Sequence, residues 1–192
     1  LYKGYTIQPY SPAAGTGLST HELNQPGCYR DVKDTTATVQ FKVIRDDKSE
    51  FLFGDGQIPV YFLAWTTPPW TLGVGPNIDY VKVVSFNPYT GEPAVYVAAK
   101  ALVGSLFNKK AEGIALGDYK PGDKLVPWKV LDGEMKGSDL LGISYEQLIP
   151  WFKPDDGAFR VIPGDYVTTE DGTGIVHIAQ TFGADDNKVA KL

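Results

Sequence analysis

The chain has 192 residues, of which 43% are hydrophobic and 21% charged, and its formal net charge is −5 at pH 7. This composition excludes a disordered chain and allows a sizeable hydrophobic core, in one large domain or two small ones. No stretch approaches the roughly 18–20 apolar residues that a membrane-spanning helix needs. The single cysteine, Cys28, excludes an internal disulfide and a cysteine-based zinc site, which favours a reducing, cytoplasmic setting.

The acidic balance bears on the possible partners. Proteins that hold nucleic acid alone usually carry a basic face, and 18 basic residues against 23 acidic ones do not predict one. If the chain acts on nucleic acid, we expect another part of a larger assembly to hold most of the polymer. Residues 1–4 include neither an initiator methionine nor a secretory leader, so we expect an internal domain of a longer protein.

Short strands dominate the predicted elements. Residues 1–35 are rich in glycine and proline and predict an irregular connector, which places the domain itself at residues 36–192. Alternating polar and apolar side chains over residues 38–44 predict a half-buried strand. The nearly continuous apolar run at residues 60–65 predicts a strand buried on both faces. Further strands are predicted at residues 80–86, 94–98, 159–162 and 174–178, and a short strand interrupted by Pro127 is predicted at residues 124–130.

Helices are fewer. Apolar residues at helical spacing between Ala99 and Phe107 predict one amphipathic helix, and residues 184–192 can begin another. Many short strands with two or three helices predict a mostly β, α+β domain. Its core is expected to be barrel-like or a strongly curved sheet, with a few helices on its flanks.

The most unusual segment is residues 65–72, which read WTTPPWTL. Its prolines end the preceding strand and stiffen the exit, so the hydroxyl groups of Thr66 and Thr67 are expected at a strand end. Fixed hydroxyl groups there can position a water molecule or a substrate carbonyl. The segment contains no nucleophile–base pair, however, and its composition alone favours a rigid, well-packed loop.

A second segment, residues 168–186, reads TTEDGTGIVHIAQTFGADD. In it, His177 can act as a general base, a hydrogen-bond donor or a steric wall, and Asp186 can bind a ligand ammonium group. The alternatives are a hydrogen-bonded core histidine and helix capping by Asp185 and Asp186. For each residue considered alone, this structural alternative is favoured over a role in catalysis or ligand binding.

Taken together, the two segments resemble the signatures of the editing domains of class I aminoacyl-tRNA synthetases. Those signatures read W-T-T-T-P-W-T-L-P-x-N and G-T-G-x-V-H-x-A-P-x-x-G-x-D-D, and their order and separation also match. Weaker similarities at residues 29–32 and 141–148 extend the resemblance through nearly the whole chain. The histidine at position 177 is similar to the isoleucyl and valyl types rather than the leucyl type, and the overall pattern resembles the isoleucyl type.

The resemblance implies a hydrolase module, within an isoleucine--tRNA ligase, that clears valine from isoleucine tRNA. One methylene gives a synthetic site only about 1–3 kcal/mol of discrimination, and isoleucine against valine in these synthetases is the standard example of that limit. The implied ligands are an amino acid and the 3′ end of a misacylated tRNA, and the rest of the synthetase is the implied protein partner. A monomeric, cytoplasmic domain without metal or organic cofactor is implied, since ATP is used elsewhere in the parent enzyme.

The resemblance also implies a role for each motif residue. Thr66, Thr67 and Thr71 would hold the aminoacyl ester and the attacking water, and we group Thr66 and Thr67 with His177 and Asp186 as catalytic residues. His177 would limit the size of the pocket and exclude isoleucine, while Asp186 would hold the α-ammonium group. Trp70 would form part of the wall around the amino-acid side chain, and the substrate-binding positions together would be Pro68, Trp70, Thr71 and Ile178.

The chain departs from the family signatures at three places. Pro68 replaces the third threonine, which removes a hydroxyl group and a backbone donor. After Leu72 the chain continues directly to Gly73, without the Pro-x-Asn segment, and Gln180 replaces a proline. The departures at Pro68 and after Leu72 favour one alternative, a non-catalytic module that binds an amino acid or a tRNA end. A valyl-type domain that clears threonine is a second alternative that stays open.

Overall fold

The computed structural model describes residues 8–31, 37–54, 56–66, 71–151 and 157–178. The chain divides into two compact units, one formed by Thr36–Ile178 and the other by Leu1–Thr35 with Ala179–Leu192. The smaller unit, in the segment predicted as an irregular connector, contains a short antiparallel hairpin and one helical turn. These elements are β1 (Tyr10–Ser11), β2 (Thr16–Gly17) and α1 (Thr20–Leu23).

The larger unit is built mainly of strands. Its helices are single turns, α2 (Glu50–Phe53) and α3 (Val103–Leu106), together with short 3-10 helices. The 3-10 helices are Lys100–Leu102, Lys109–Ala111, Leu116–Asp118 and Gly137–Leu140. The strands are β3 (Ala37–Lys42), β4 (Val60–Thr66), β5 (Thr71–Val74), β6 (Asp79–Phe86), β7 (Pro93–Ala99), β8 (Lys129–Val130), β9 (Met135–Lys136), β10 (Val161–Pro163) and β11 (Ile175–Ile178).

The strands form one nine-stranded sheet with the path β10-β5-β11-β4-β7-β6-β8, in which β3 also pairs with β4 and β9 with β6. Strand β4 is the centre of this arrangement. It pairs with β3 along its whole length, with β7 at its start and with β11 near its end. Because β11 takes the place of β7 along β4, the sheet curls into a half-barrel instead of staying flat.

Apolar side chains cover both faces of β4. Phe62 belongs to the main core, where its ring and that of Phe41 contact Tyr145 edge-on at centroid distances of 6.5 and 5.4 Å. Leu63 faces the other way, into a smaller cluster with Tyr96. Burial raises the pKa of the Tyr145 hydroxyl, which therefore stays neutral within the core.

The strand predictions agree with the structure in the main. Predicted strands at residues 38–44, 60–65, 80–86, 94–98, 159–162 and 174–178 each overlap an observed strand. The mostly β fold class with a curved sheet and few helices is confirmed. Trp65 is an exception, since its side chain is 43% exposed rather than buried. The pairing of β7 with β4 ends at Phe62, and the outer face beyond that point is less covered.

Two predictions were wrong in extent. The helix expected from Ala99 to Phe107 is one 3-10 turn followed by the four residues of α3, because the N–H of Ala99 donates to the Thr173 carbonyl (3.0 Å) and extends β7. Of the short strand expected at residues 124–130, with its interruption at Pro127, only the part after the proline forms, as β8. Residues 184–192 lie outside the described residues.

Candidate active site

The two motif segments meet at one edge of the sheet. Strand β11 runs parallel to β4, with Val176 opposite Trp65, and antiparallel to β5, with Ile178 opposite Thr71. The ends of β4 and β11 and the start of β5 therefore lie at the same edge. The structure thus brings together Thr66, at the end of β4, and the predicted site residues of β5 and β11.

The register separates the predicted residues by face. His177 lies opposite Leu72, whose fully buried side chain belongs to the main core, so His177 is on the core face of the sheet. It is half-buried, and its Nε2 atom is buried. Thr71 and Ile178 form the next pair along the strands and lie on the opposite face. A common pocket for all of these residues stays a prediction.

Four residues of the predicted site, Thr67, Pro68, Trp70 and Asp186, lie outside the described residues. The roles assigned to them stay predictions. The departure from the family signature after Leu72 falls within β5, because Gly73 and Val74 continue this strand and pair with β11 and β10.

The Gly-Thr-Gly sequence of the second motif forms the turn into β11. Gly174 has φ +72°, and a Cβ atom there would lie 2.3 Å from the Cβ of Ala99. Gly172 has φ +74°, and a Cβ atom added there would lie 3.3 Å from Cε3 of the Trp65 ring. Between them, the buried Thr173 hydroxyl donates to the Ile175 carbonyl at 2.9 Å. The turn therefore needs glycine at both positions, and it fixes where β11 and His177 begin.

Comparison with known proteins agrees with the motif assignment. No protein-family model matches the chain. It is 66% identical to an isoleucine--tRNA ligase of Bacteroides fragilis, in an alignment that covers all of this chain and 17% of that protein. Identity is 61% to the enzyme of Cytophaga hutchinsonii and 42% to that of Clostridium tetani, again over the whole of this chain and over 17% and 15% of those proteins. The chain belongs to the isoleucyl-tRNA synthetase family.

Solved structures show the same fold. The crystal structure of GlLeuRS-CP1 superposes with a TM-score of 0.56 at 18% identity, over 82% of this chain and 59% of that one. The Plasmodium knowlesi cytosolic leucyl-tRNA synthetase editing domain gives a TM-score of 0.55 at 16% identity, over 79% of this chain and 60% of that domain. This member of the isoleucyl-tRNA synthetase family therefore has the fold of a synthetase editing domain, and it spans about a sixth of the length of its full-length relatives.

Sequence reasoning missed one residue that positions the candidate site. The fully buried hydroxyl of Tyr80 donates to the Gly174 carbonyl at 2.5 Å and accepts the Gly75 N–H at 3.2 Å. Gly174 immediately precedes β11, and Gly75 immediately follows β5. Tyr80 therefore ties together the two strands that carry His177 and Thr71. Its only sequence signal is a tyrosine at a core-facing position of an alternating strand.

We expect Tyr80→Phe to destabilise the domain by about 1–3 kcal/mol at pH 7, because a buried carbonyl and a buried N–H each lose a partner. Burial raises the pKa of Tyr80 from its ordinary value of 10 to about 12. The folded state then holds the proton that the unfolded state releases above pH 10, so the wild type loses stability as pH rises from 10 to 12. The free energy of unfolding, measured with urea between pH 7 and 12, should decline less in Tyr80→Phe than in the wild type. An identical decline would contradict the assignment.

A metal site and a membrane-spanning helix are both absent from the part of the chain that the structure describes. Within residues 8–31, 37–54, 56–66, 71–151 and 157–178, no group of three histidine, cysteine, aspartate or glutamate residues is placed to hold a metal ion. The described helices are also too short to cross a membrane. The expectation that the domain needs no cofactor stays a prediction.

Proposed function

We propose that the chain hydrolyses the ester bond of misacylated tRNA and that it clears valine from isoleucine tRNA. The observation that carries the proposal is the meeting of the two editing-type motifs at one sheet edge, through the pairing of β11 with both β4 and β5. Its relatives are isoleucine--tRNA ligases, and its structural neighbours are editing domains, which supports proofreading in general.

The proposed chemistry is attack by a positioned water molecule. Hydroxyl groups at Thr66 and Thr67, with nearby backbone donors, would orient the water and polarise the ester carbonyl. The water oxygen bonds to the carbonyl carbon, the bond from that carbon to the ribose oxygen breaks, and a proton passes to the ribose oxygen. The products are a free amino acid and a tRNA with a free terminal hydroxyl group. Holding the α-ammonium group on Asp186 would place the ester for this attack.

Selectivity would come from size. His177 lies on the core face beside the fully buried Leu72, so its imidazole can close the pocket to a side chain one methylene larger than valine. Thr71 and Ile178 lie on the other face at the same edge, so their part in substrate binding would be to shape the outer side of the entrance.

The parent synthetase would supply the remaining functions. It would use ATP to charge the tRNA and would grip the tRNA body, while this acidic, monomeric domain meets only the 3′ end in the cytoplasm. We propose that the domain itself needs neither a metal ion nor an organic cofactor, because water, hydroxyl groups and one carboxylate suffice for the step described.

One observation favours a second candidate, a non-catalytic module that binds an amino acid or a tRNA end. Pro68 lacks the hydroxyl group and the backbone donor of the threonine found there in the family signature. A valyl-type domain that clears threonine is the enzymatic alternative. Threonyl-tRNA of valine specificity is therefore a substrate that belongs in the same assay.

The test is deacylation of valyl- and isoleucyl-tRNA of isoleucine specificity, with the purified chain in excess over tRNA. We expect selective loss of the valyl ester. Asp186→Ala should slow this loss by about 100-fold or more, because the buried ammonium group would lose its counter-charge, which typically costs about 3–5 kcal/mol.

Asp185→Ala is the matched control, since it removes the neighbouring carboxylate and should retain activity. Equal rates in Asp186→Ala and the wild type would remove the ammonium-binding role. If the wild type cleaves none of the valyl, isoleucyl and threonyl esters, hydrolysis is excluded for this chain. Loss of threonyl ester in preference to valyl ester would assign it to the valyl type.

A further inference from the structure

Gly73, in β5, is a glycine that the backbone conformation does not require. Its φ angle is not positive, and it pairs with Ile162 of β10 and Val176 of β11 as an ordinary strand residue. A glycine inside a strand often marks a place where another group comes close to the backbone. The reason for glycine at this position therefore lies in the group that packs above it.

The group that packs above Gly73 is the side chain of Tyr166. A Cβ atom added to Gly73 would lie 2.2 Å from the Tyr166 hydroxyl oxygen and 3.2 Å from its Cζ atom. Non-bonded carbon atoms pack at about 3.5–4.0 Å, so only glycine leaves room for this ring. Because Leu72 points into the main core, the Tyr166 hydroxyl lies on the opposite face of β5. This is the face that carries Thr71 and Ile178.

The turn after β10 holds Tyr166 in this place. The Val167 N–H donates to the Gly164 carbonyl at 3.1 Å, which closes the turn. The Gly164 N–H donates to the Val74 carbonyl at 2.8 Å, which fixes the turn to β5. A Cβ atom added to Gly164 would lie 2.8 Å from both Cζ and the hydroxyl oxygen of Tyr166. The end of the ring therefore packs against two glycines, and its hydroxyl oxygen is buried.

The same contact reaches the strand pair that the proposed function places at the entrance of the pocket. The Cγ1 atom of Ile178 lies 3.6 Å from the Cβ position above Gly73, so Ile178 and the Tyr166 hydroxyl share that space. Ile178 is only 4% exposed although it faces away from the main core. Thr71 lies opposite Ile178 and about 7 Å along the strand from Gly73. Displacement of Tyr166 would therefore disturb the packing of both side chains.

We propose that Tyr166 is a positioning residue of the editing site, which holds the pair formed by Thr71 and Ile178 in place through its contact with Gly73. This inference rests on the proposed function, which assigns Thr71 and Ile178 to substrate binding. Tyr166 acts through these residues and does not touch the substrate itself, because its hydroxyl oxygen is buried. Its loss should weaken substrate binding and leave the rate of ester cleavage in the bound state unchanged.

The test is a double-mutant cycle of Gly73→Ala, Tyr166→Phe and the two together, measured by single-turnover deacylation of valyl-tRNA. In Gly73→Ala the new methyl group takes the place of the hydroxyl and displaces the ring. We expect the tRNA concentration at half-maximal rate to rise at least about fivefold, within the range of couplings between residues in contact. The limiting rate should stay within about twofold of the wild type.

Tyr166→Phe should rescue the Gly73 variant. Once the hydroxyl is removed, the nearest ring atom is Cζ at 3.2 Å, and a small shift of the ring relieves that contact. The half-maximal concentration in the double variant should therefore return to the wild-type value. By itself, Tyr166→Phe leaves a gap above Gly73 and should raise the half-maximal concentration about threefold.

Gly75→Ala, alone and with Tyr166→Phe, is the matched control. Gly75 directly follows β5, but a Cβ atom added there would lie 2.5 Å from Cδ1 of Ile78 and does not meet Tyr166. Tyr166→Phe should therefore not reverse any loss in the Gly75 variant. Equal rescue of the Gly73 and Gly75 variants would overturn the proposal, as would an unchanged half-maximal concentration in Gly73→Ala.

Urea unfolding of the same proteins separates positioning from stability. If Tyr166→Phe restores the urea midpoint of Gly73→Ala without restoring its half-maximal concentration, the contact only stabilises the fold and the proposal fails. If Gly73→Ala does not fold, the comparison is between the double variant and Tyr166→Phe. The added methyl group should then lower the half-maximal concentration by filling the gap, and no decrease would overturn the proposal.

A compound that cannot be hydrolysed separates this proposal from the proposed function. Valine joined through an amide bond to an aminodeoxyadenosine replaces the labile ester, and its Kd should follow the same pattern across the cycle. If the pattern appears in the Kd but the wild type cleaves no ester, hydrolysis fails and the positioning role stands. If the wild type neither cleaves nor binds, both proposals fail. Cleavage with one half-maximal concentration throughout the cycle would exclude Tyr166 and leave the hydrolase standing.

Discussion

Replacing His177 by alanine should cause the chain to deacylate isoleucyl-tRNA, which the wild type is expected to leave intact. The imidazole lies on the core face of β11, opposite the fully buried Leu72, with its Nε2 atom buried. Its neighbours cannot readily collapse into the space that the ring leaves, because Leu72 and Ile175 are themselves fully buried in the main core. The pocket then gains room for the one methylene that separates isoleucine from valine.

The expected gain in the isoleucyl rate is about 10–200-fold, the range that one methylene is worth in an apolar pocket. The valyl rate should change far less, so the ratio of the two single-turnover rates is the quantity to measure. Val176→Ala is the matched control. It shortens the adjacent side chain of β11, which pairs with Gly73 and Trp65 on the opposite face, and it should leave the ratio unchanged.

Continued protection of isoleucyl-tRNA by the His177 variant, with valyl hydrolysis intact, would exclude the size-limiting role. Loss of both activities in a variant that unfolds at the same urea concentration as the wild type would instead assign His177 to the chemical step. Equal shifts of the ratio in the His177 and Val176 variants would show a general loosening of β11.

Local pattern was enough to predict most of the strands. The alternation over residues 38–44 corresponds to β3, and the continuous apolar run at residues 60–65 corresponds to β4, which has apolar side chains on both faces. The helix expected from Ala99 failed for a long-range reason. Its first residue donates a hydrogen bond to Thr173, far along the chain, and no local pattern carries that information.

The site could be predicted in part. The motifs indicated that Thr66 and His177 belong together, and the strand pairing places both at one edge. The motifs did not indicate that Thr71 and Ile178 face away from His177, because the face of each residue depends on the register between β5 and β11. Nor did they indicate Tyr80, since its role lies in the partners of its hydroxyl group rather than in its strand pattern.

Gly174→Ala should be the most destabilising of the substitutions considered. Two effects contribute, the positive φ angle and the steric contact of the added Cβ, and Gly133→Ala isolates the first of them. Both glycines have positive φ angles, +72° and +95°, which cost a side-chain-bearing residue about 1–2 kcal/mol. An added Cβ at Gly133 meets nothing within 4 Å, whereas at Gly174 it would lie 2.3 Å from the Cβ of Ala99.

Ala99 cannot move away easily, because it is fully buried in β7 and its N–H is bonded to the Thr173 carbonyl beside the glycine. We therefore expect the loss of unfolding free energy in Gly174→Ala to exceed that in Gly133→Ala by about 1–3 kcal/mol, the usual cost of overpacking. Urea unfolding at pH 7 measures both. Because the displaced turn leads directly into β11, Gly174→Ala should also slow valyl-tRNA deacylation in the fraction that stays folded, while Gly133→Ala should not. Equal losses of stability in the two variants would show that the contact with Ala99 does not constrain the turn.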